Sequence, residues 1–149
     1  MKTAKDIMTT PVVTVKPEME IKDLATRLSD NRISGAPVVD EEGRLLGIVT
    51  ESDLLLTEKP VHIPTFFILL DSLVYFENPF KLDKELKELT ARTVADIYTP
   101  DCLTISPETP VDEIASLMVE EKIYLLPVVD QDKKVVGIVS RTNMLSLIT

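Results

Sequence analysis

Apolar and polar positions follow two rhythms along this chain, and the same succession of rhythms occurs twice. Ile21, Leu24, Ala25 and Leu28 recur at steps of three and four, the spacing that gives a helix one apolar face, and Val111, Ile114, Ala115 and Met118 repeat it ninety positions on. Each helix leads into a short β-branched run, Ala36–Val39 or Leu126–Val129. A polar turn follows at Asp40–Gly43 or Asp130–Lys133, and then a second run, Leu45–Val49 or Val135–Val139. This predicts a hairpin whose strands are apolar on both sides and therefore buried on both faces. Thr50 and Ser140 are good N-cap residues for short helices running Glu51 to Leu56 and Arg141 to Ile148. Upstream, Val12–Val15 and Cys102–Ile105 are small extended pieces, and Pro17 and Pro107 sit just before the amphipathic helix, where a fixed φ suits the first turn. The predicted order in each copy is β-α-β-β-α, an α/β unit.

The duplication is explicit in the residues. Pairing 5–55 with 95–145 gives sixteen identities without a gap, among them Pro37-Val-Val-Asp40 with Pro127-Val-Val-Asp130 and Gly47-Ile-Val49 with Gly137-Ile-Val139. Self-similarity at a fixed shift is the signature of tandem units. It divides the chain into a first repeat over 1–56, an insert over 57–93 and a second repeat over 94–149. The insert carries Pro60, Pro64 and Pro79, an apolar helix near Phe66–Phe76, and an amphipathic helix with Leu82, Leu86 and Leu89 on one stripe. All four Phe residues, Phe66, Phe67, Phe76 and Phe80, lie there, and they are the expected contact with a second subunit.

Composition narrows the choice of partner. The hydrophobic share of 44% supports a core, and the formal net charge of −9 opposes a nucleic-acid backbone or an anionic membrane surface as the main partner. No apolar run approaches the roughly 18 residues of a spanning helix, and Met1–Asp6 leads into no signal-peptide h-region. The single Cys102 forms no internal disulfide, so a cytoplasmic setting is expected. His62 stands alone without ligand spacing, which points to no metal site. No nucleophile–base pair, P-loop or glycine-rich dinucleotide turn is present, so no catalytic residue is assigned and an enzyme is not expected.

The ordered set Asp6-Ile-Met-Thr9, Pro37-Val-Val-Asp40 and Gly47-Ile-Val-Thr-Glu-Ser-Asp53, with its copy Asp96-Ile-Tyr-Thr99, Pro127-Val-Val-Asp130 and Gly137-Ile-Val-Ser-Arg-Thr-Asn143, resembles the CBS-domain pair, or Bateman module. The two copies cover about two thirds of the chain. The resemblance implies two repeats related by a pseudo-twofold axis. It also implies an adenosine-containing ligand (AMP, ADP, ATP or S-adenosylmethionine) in the cleft between them, a homodimer, and regulation of a partner protein. No further cofactor is required.

Residues with suitable chemistry stand where that ligand would sit. The Thr50 hydroxyl at a helix N-cap lies beside free N–H groups that attract phosphate. Asp53, one turn on, has a carboxylate suited to both ribose hydroxyls. The base is expected between Ile33, Ala36 and Pro37 on one side and Met8, Val12 and Val13 on the other. Ser34 stands at the edge of that slot, in the place of Tyr124. The second copy offers Tyr98, Cys102, Leu103, Ile123, Tyr124, Leu126 and Pro127 in the same places, with Ser140, Arg141 and Asn143 at its rim. Tyr124 suits either stacking on a base or simple packing, and Cys102, matching Val12, suits a small core residue. Asn143 replaces the acid of the first copy and Arg141 replaces Glu51, so unequal sites are expected, with the ribose clamp at Asp53 and the phosphate side at Arg141. The plain alternative is that Thr50 and Asp53 only cap their helix. On that account the chain is an interaction or scaffold protein with degenerate pockets.

Overall fold

The computed structural model describes residues 2–55 and 92–148. The insert, with its Phe-rich stretch and predicted second-subunit contact, lies outside the described residues, apart from Arg92 and Thr93. The first repeat contains α1 (Ala4–Ile7), α2 (Ile21–Asn31), β1 (Gly35–Val39), β2 (Leu45–Thr50) and α3 (Glu51–Leu55). The second contains a 3-10 turn (Val94–Asp96), β3 (Thr99–Pro100), α4 (Val111–Glu121), β4 (Leu125–Val129), β5 (Val135–Ser140) and α5 (Arg141–Leu145).

Both hairpins form in the same register. Gly35 pairs with Thr50 and Pro37 with Ile48; Leu125 pairs with Ser140 and Pro127 with Ile138. The ladder slips between Val38 and Val39 and again between Val128 and Val129. Each turn is closed by an aspartate. The Asp40 Oδ1 accepts the Glu42 and Arg44 N–H groups, both at 2.9 Å. Those main-chain donors, Arg44 foremost, hold the Asp40 carboxyl below its usual range. Asp130 does the same with the Asp132 and Lys134 N–H groups at 2.8 and 3.0 Å. The two hairpin tips then pair with each other, the Leu45 N–H donating to the Lys133 carbonyl and the Val135 N–H to that of Gly43.

Two expectations change. The extended pieces at 12–15 and 102–105 shrink to single parallel bridges, Val15 to Val38 and Ile105 to Val128. Proline is the reason. The Val15 N–H donates to the Pro37 carbonyl and the Val39 N–H to the Val15 carbonyl. The next rungs in a parallel ladder would need N–H groups from Pro37 on one side and Pro17 on the other, and neither has one. Pro127 and Pro107 stop the second copy in the same way. Pro17 and Pro107 are not in a first helical turn either. Pro17 lies inside a turn closed by the Met19 N–H on the Lys16 carbonyl, as Pro107 lies inside one closed by Thr109 on Ser106. That is the second position of a β-turn, another place that favours a fixed φ. The helices begin later, at Ile21 and Val111.

The cores show how the repeats are joined. Ile21, Leu24, Leu28, Ala36, Val38, Val49 and Leu54 form one cluster, and it is completed by Val94 from the second repeat. Ile114, Met118, Leu126, Val128 and Val139 form the other, completed by Ala4 from the first repeat. Ala4 and Val94 are both fully buried. The main chain repeats the exchange bond for bond. Ala4 N–H donates to the Thr109 carbonyl and Lys5 to Pro107, as Val94 donates to Met19 and Ala95 to Pro17. Each repeat therefore lends its opening segment to the other, and the two halves fold as one body.

Candidate functional site

The exchange decides which residues meet. Thr99 and Pro100 pair with Ile48 and Gly47 along the edge of β2, so the opener of the second repeat runs past the end of the first hairpin. Thr9 bridges Ile138 in the same way, carrying the first opener to the second hairpin. A cleft of about 740 Å³ opens at the first of these junctions. Ser34, Thr50, Cys102, Leu103, Ile123, Tyr124 and Arg141 line it. All seven are among the candidates read from the sequence, but they come from both copies rather than one. Ile48, Ser52, Thr99, Asp101, Glu121 and Lys122 line it too and were not anticipated. The signal that bore on them was glycine inside a strand, a mark of close backbone approach. A Cβ on Gly47 would collide with the Thr99 carbonyl and the Tyr98 ring, and one on Gly137 with Met8.

The expected base slot is therefore regrouped. Met8 packs against the second core and Gly137, away from Ile33, Ala36 and Pro37. Ala36, Pro37, Leu126 and Pro127 are fully buried in the hairpin cores and do not line the cleft. Val12, Val13 and Ile33 are half-buried, and none of them lines the cleft; Val12 and Val13 lie on the run from the Thr9–Ile138 bridge back to the Val15–Val38 bridge. Tyr98 is half-buried and packs against the first core. Thr50 and Arg141, assigned above to different sites, share one cleft.

Within the cleft, Tyr124 is 48% exposed, and the Arg141 guanidinium lies over its ring at 4.9 Å from the centroid. A guanidinium stacked on a ring keeps its N–H edges available to a ligand. Leu103 and the half-buried Cys102 supply apolar wall, and burial pushes the Cys102 thiol up.

Asp53 and Asn143, expected at the rims, do not line the cleft and serve their own helices. The Asp53 Oδ2 accepts the Thr50 N–H at 2.8 Å and the Thr50 hydroxyl at 3.3 Å. The Asn143 Oδ1 accepts the Ser140 N–H at 2.7 Å and the Ser140 hydroxyl at 2.8 Å. Asn143 does more with its other end: Nδ2 donates to the Ile7 carbonyl at 2.9 Å and to the Thr9 hydroxyl at 3.0 Å. An aspartate has no donor for that contact, which explains the amide in the second copy. The same N-terminal device recurs at the two openers, where Asp6 takes the Thr3 N–H and Asp96 the Thr93 N–H, both at 2.9 Å. The Thr3 N–H is the main cause holding the Asp6 carboxyl below its usual range.

Among the described residues no group of His, Cys, Asp and Glu forms a metal cluster, and no helix is long and apolar enough to cross a membrane.

The fold is a tandem of two α/β repeats that exchange their opening segments around a shared cleft. The profile of the CBS domain matches residues 4–58 and 94–149, and the chain belongs to the CBS-domain family. It is 33% identical over 148 residues to an uncharacterized protein of Methanocaldococcus jannaschii, covering 95% of this chain and 88% of the relative. The crystal structure of CBSX2 of Arabidopsis thaliana in complex with AMP superposes with a TM-score of 0.73 at 30% identity, covering 99% of this chain and 97% of that one. The CBS domain pair of protein MJ0100, in complex with 5′-methylthioadenosine and S-adenosyl-L-methionine, superposes with a TM-score of 0.72 at 28% identity, covering 99% and 96%.

Proposed function

We propose that the cleft between the repeats binds an adenosine-containing ligand (AMP, ADP, ATP or S-adenosylmethionine) and that the chain acts as a regulatory module rather than a catalyst. The carrying observation is the cleft itself, about 740 Å³ and walled by both repeats, with the Tyr124–Arg141 stack, Thr50 and Ser34 in its lining. That volume suits a small ligand, and the apolar side chains of Ile48, Leu103 and Ile123 can cover a purine while the polar groups beside them fix its sugar. Because the walls belong to different repeats, a ligand that prefers one packing of the two shifts their balance by its differential affinity. A partner protein reads the shift, and the working form is a cytoplasmic homodimer. The relatives solved with AMP, and with methylthioadenosine and S-adenosylmethionine, support the ligand class.

Calorimetric titration with AMP, ATP and S-adenosylmethionine tests it, with Asp53→Ala as the paired variant. Removing the Asp53 carboxylate takes the cap from the Thr50 N–H and should lower stability by about 0.5–2 kcal/mol without ligand. It should also weaken the adenosyl ligand by about 1–3 kcal/mol through lost charge-assisted bonds to the ribose. Lowered stability with unchanged affinity would make Asp53 a cap alone. A scaffold with a degenerate pocket is the second reading, and it is favoured by one observation: Asp53 and Asn143 bond their own N-caps and neither lines the cleft. Binding of none of the three ligands would establish it.

A further inference from the structure

We propose that the cleft selects an adenosine ligand whose 5′ tail carries positive charge or both signs, the class of the adenosyl sulfonium amino acids, over a nucleoside triphosphate; this rests on the adenosyl reading above. The charged groups lining the cleft are the carboxylates of Glu51, Asp101 and Glu121 and the cations of Lys122 and Arg141. A triphosphate needs a surplus of donors and cations, or a glycine-rich loop whose N–H groups wrap it. Among the described residues neither is present: the acids outnumber the bases, and the lining contains no glycine.

Glu51 is the sharpest feature. It follows Thr50 directly, in the position that Arg141 holds in the second repeat, so the two copies present opposite charges to one cleft. Glu51 and Asp53 both occupy the first turn of α3, where they compensate the partial positive charge a phosphate would otherwise use. A sulfonium with an amino-acid tail carries two positive groups and one carboxylate. The carboxylate can take the Arg141 edge, and the positive groups face Glu51, Asp101 or Glu121. The formal net charge of −9 over the whole chain acts in the same direction at long range.

The test is calorimetry on the full chain at low ionic strength with S-adenosylmethionine, 5′-methylthioadenosine, AMP and ATP. S-adenosylmethionine should bind at least about ten-fold tighter than ATP, with the uncharged thioether nucleoside between them. Glu51→Arg should shift the ratio towards ATP by about ten-fold or more, and Glu51→Gln by less. Circular dichroism on both variants checks that they fold. ATP binding as tightly as S-adenosylmethionine, or a ratio unmoved in both variants, overturns the selectivity while the adenosyl reading stands. Failure of all four ligands to bind overturns both.

Discussion

Gly47→Ala should destabilise this protein by about 3 kcal/mol or more, a loss of roughly 6–12 °C in Tm for a chain of this length. The reason is the crossing of one repeat by the other. Gly47 faces Pro100 across the β2–β3 ladder, and a side chain there meets the Thr99 carbonyl and the Tyr98 ring. A main-chain carbonyl held in a ladder cannot rotate aside, so the second opener must lift off β2. Its lift would disturb Val94, which fills the first core. The matching change at the second junction should cost less. A Cβ on Gly137 meets the Met8 side chain, and a thioether has rotamers to spare. Thermal melts should therefore rank Gly47→Ala below Gly137→Ala. Met8→Ala should recover part of the second loss by opening the space. Equal and small effects at both glycines would mean the openers do not cross where described.

Asn143→Asp should cost about 2–3 kcal/mol although it keeps the shape and the cap. The new carboxylate can still accept from the Ser140 N–H and hydroxyl. It cannot donate to the Ile7 carbonyl and would place a negative oxygen against it, while the Thr9 hydroxyl can turn and donate to the new carboxylate. The contact spans 136 positions of sequence and ties the first opener to the second repeat. Hydrogen exchange should show the amides of α1 losing protection before those of β4 and β5. A stable Asn143→Asp protein with α1 as protected as before would contradict the anchoring role.

Much of this architecture is legible in the residues, and the part that is not has a physical cause. Short β-branched runs bounded by polar turns and a period of 3.6 are local signals, so both hairpins and both amphipathic helices could be placed from Pro37-Val-Val and Leu24/Leu28 together with their copies. The shift of ninety shows that the copies are equivalent. It does not show whether an opener docks on its own repeat or on the other, because Ala4 and Val94 are small apolar residues that fit either core. That choice brought Cys102 and Leu103, from the second opener, into the cleft that Thr50 lines, and left Met8, Val12 and Val13 out of it. Gly47 and Gly137 hinted at the crossing, since strand interiors tolerate glycine poorly without a reason. The prolines gave a subtler clue. Pro17 and Pro37 each lack the N–H that a continued parallel ladder would require, so the first strand could only be a single bridge. The roles of Asp53 and Asn143 depended on which donors lay within reach, and only coordinates supply those.

The protein contains one cysteine, Cys102, and it lines the cleft in which the ligand is placed. Its alkylation by iodoacetamide, followed by intact-protein mass spectrometry, reads occupancy of that wall directly. Mildly alkaline buffer is needed because burial pushes the thiol up. Saturating S-adenosylmethionine or AMP should slow the reaction several-fold, and the slowing should disappear in the Tyr124→Ala, Arg141→Ala double variant. Alkylation at the same rate with and without a ligand that calorimetry shows to be bound would place the binding site elsewhere and contradict the account.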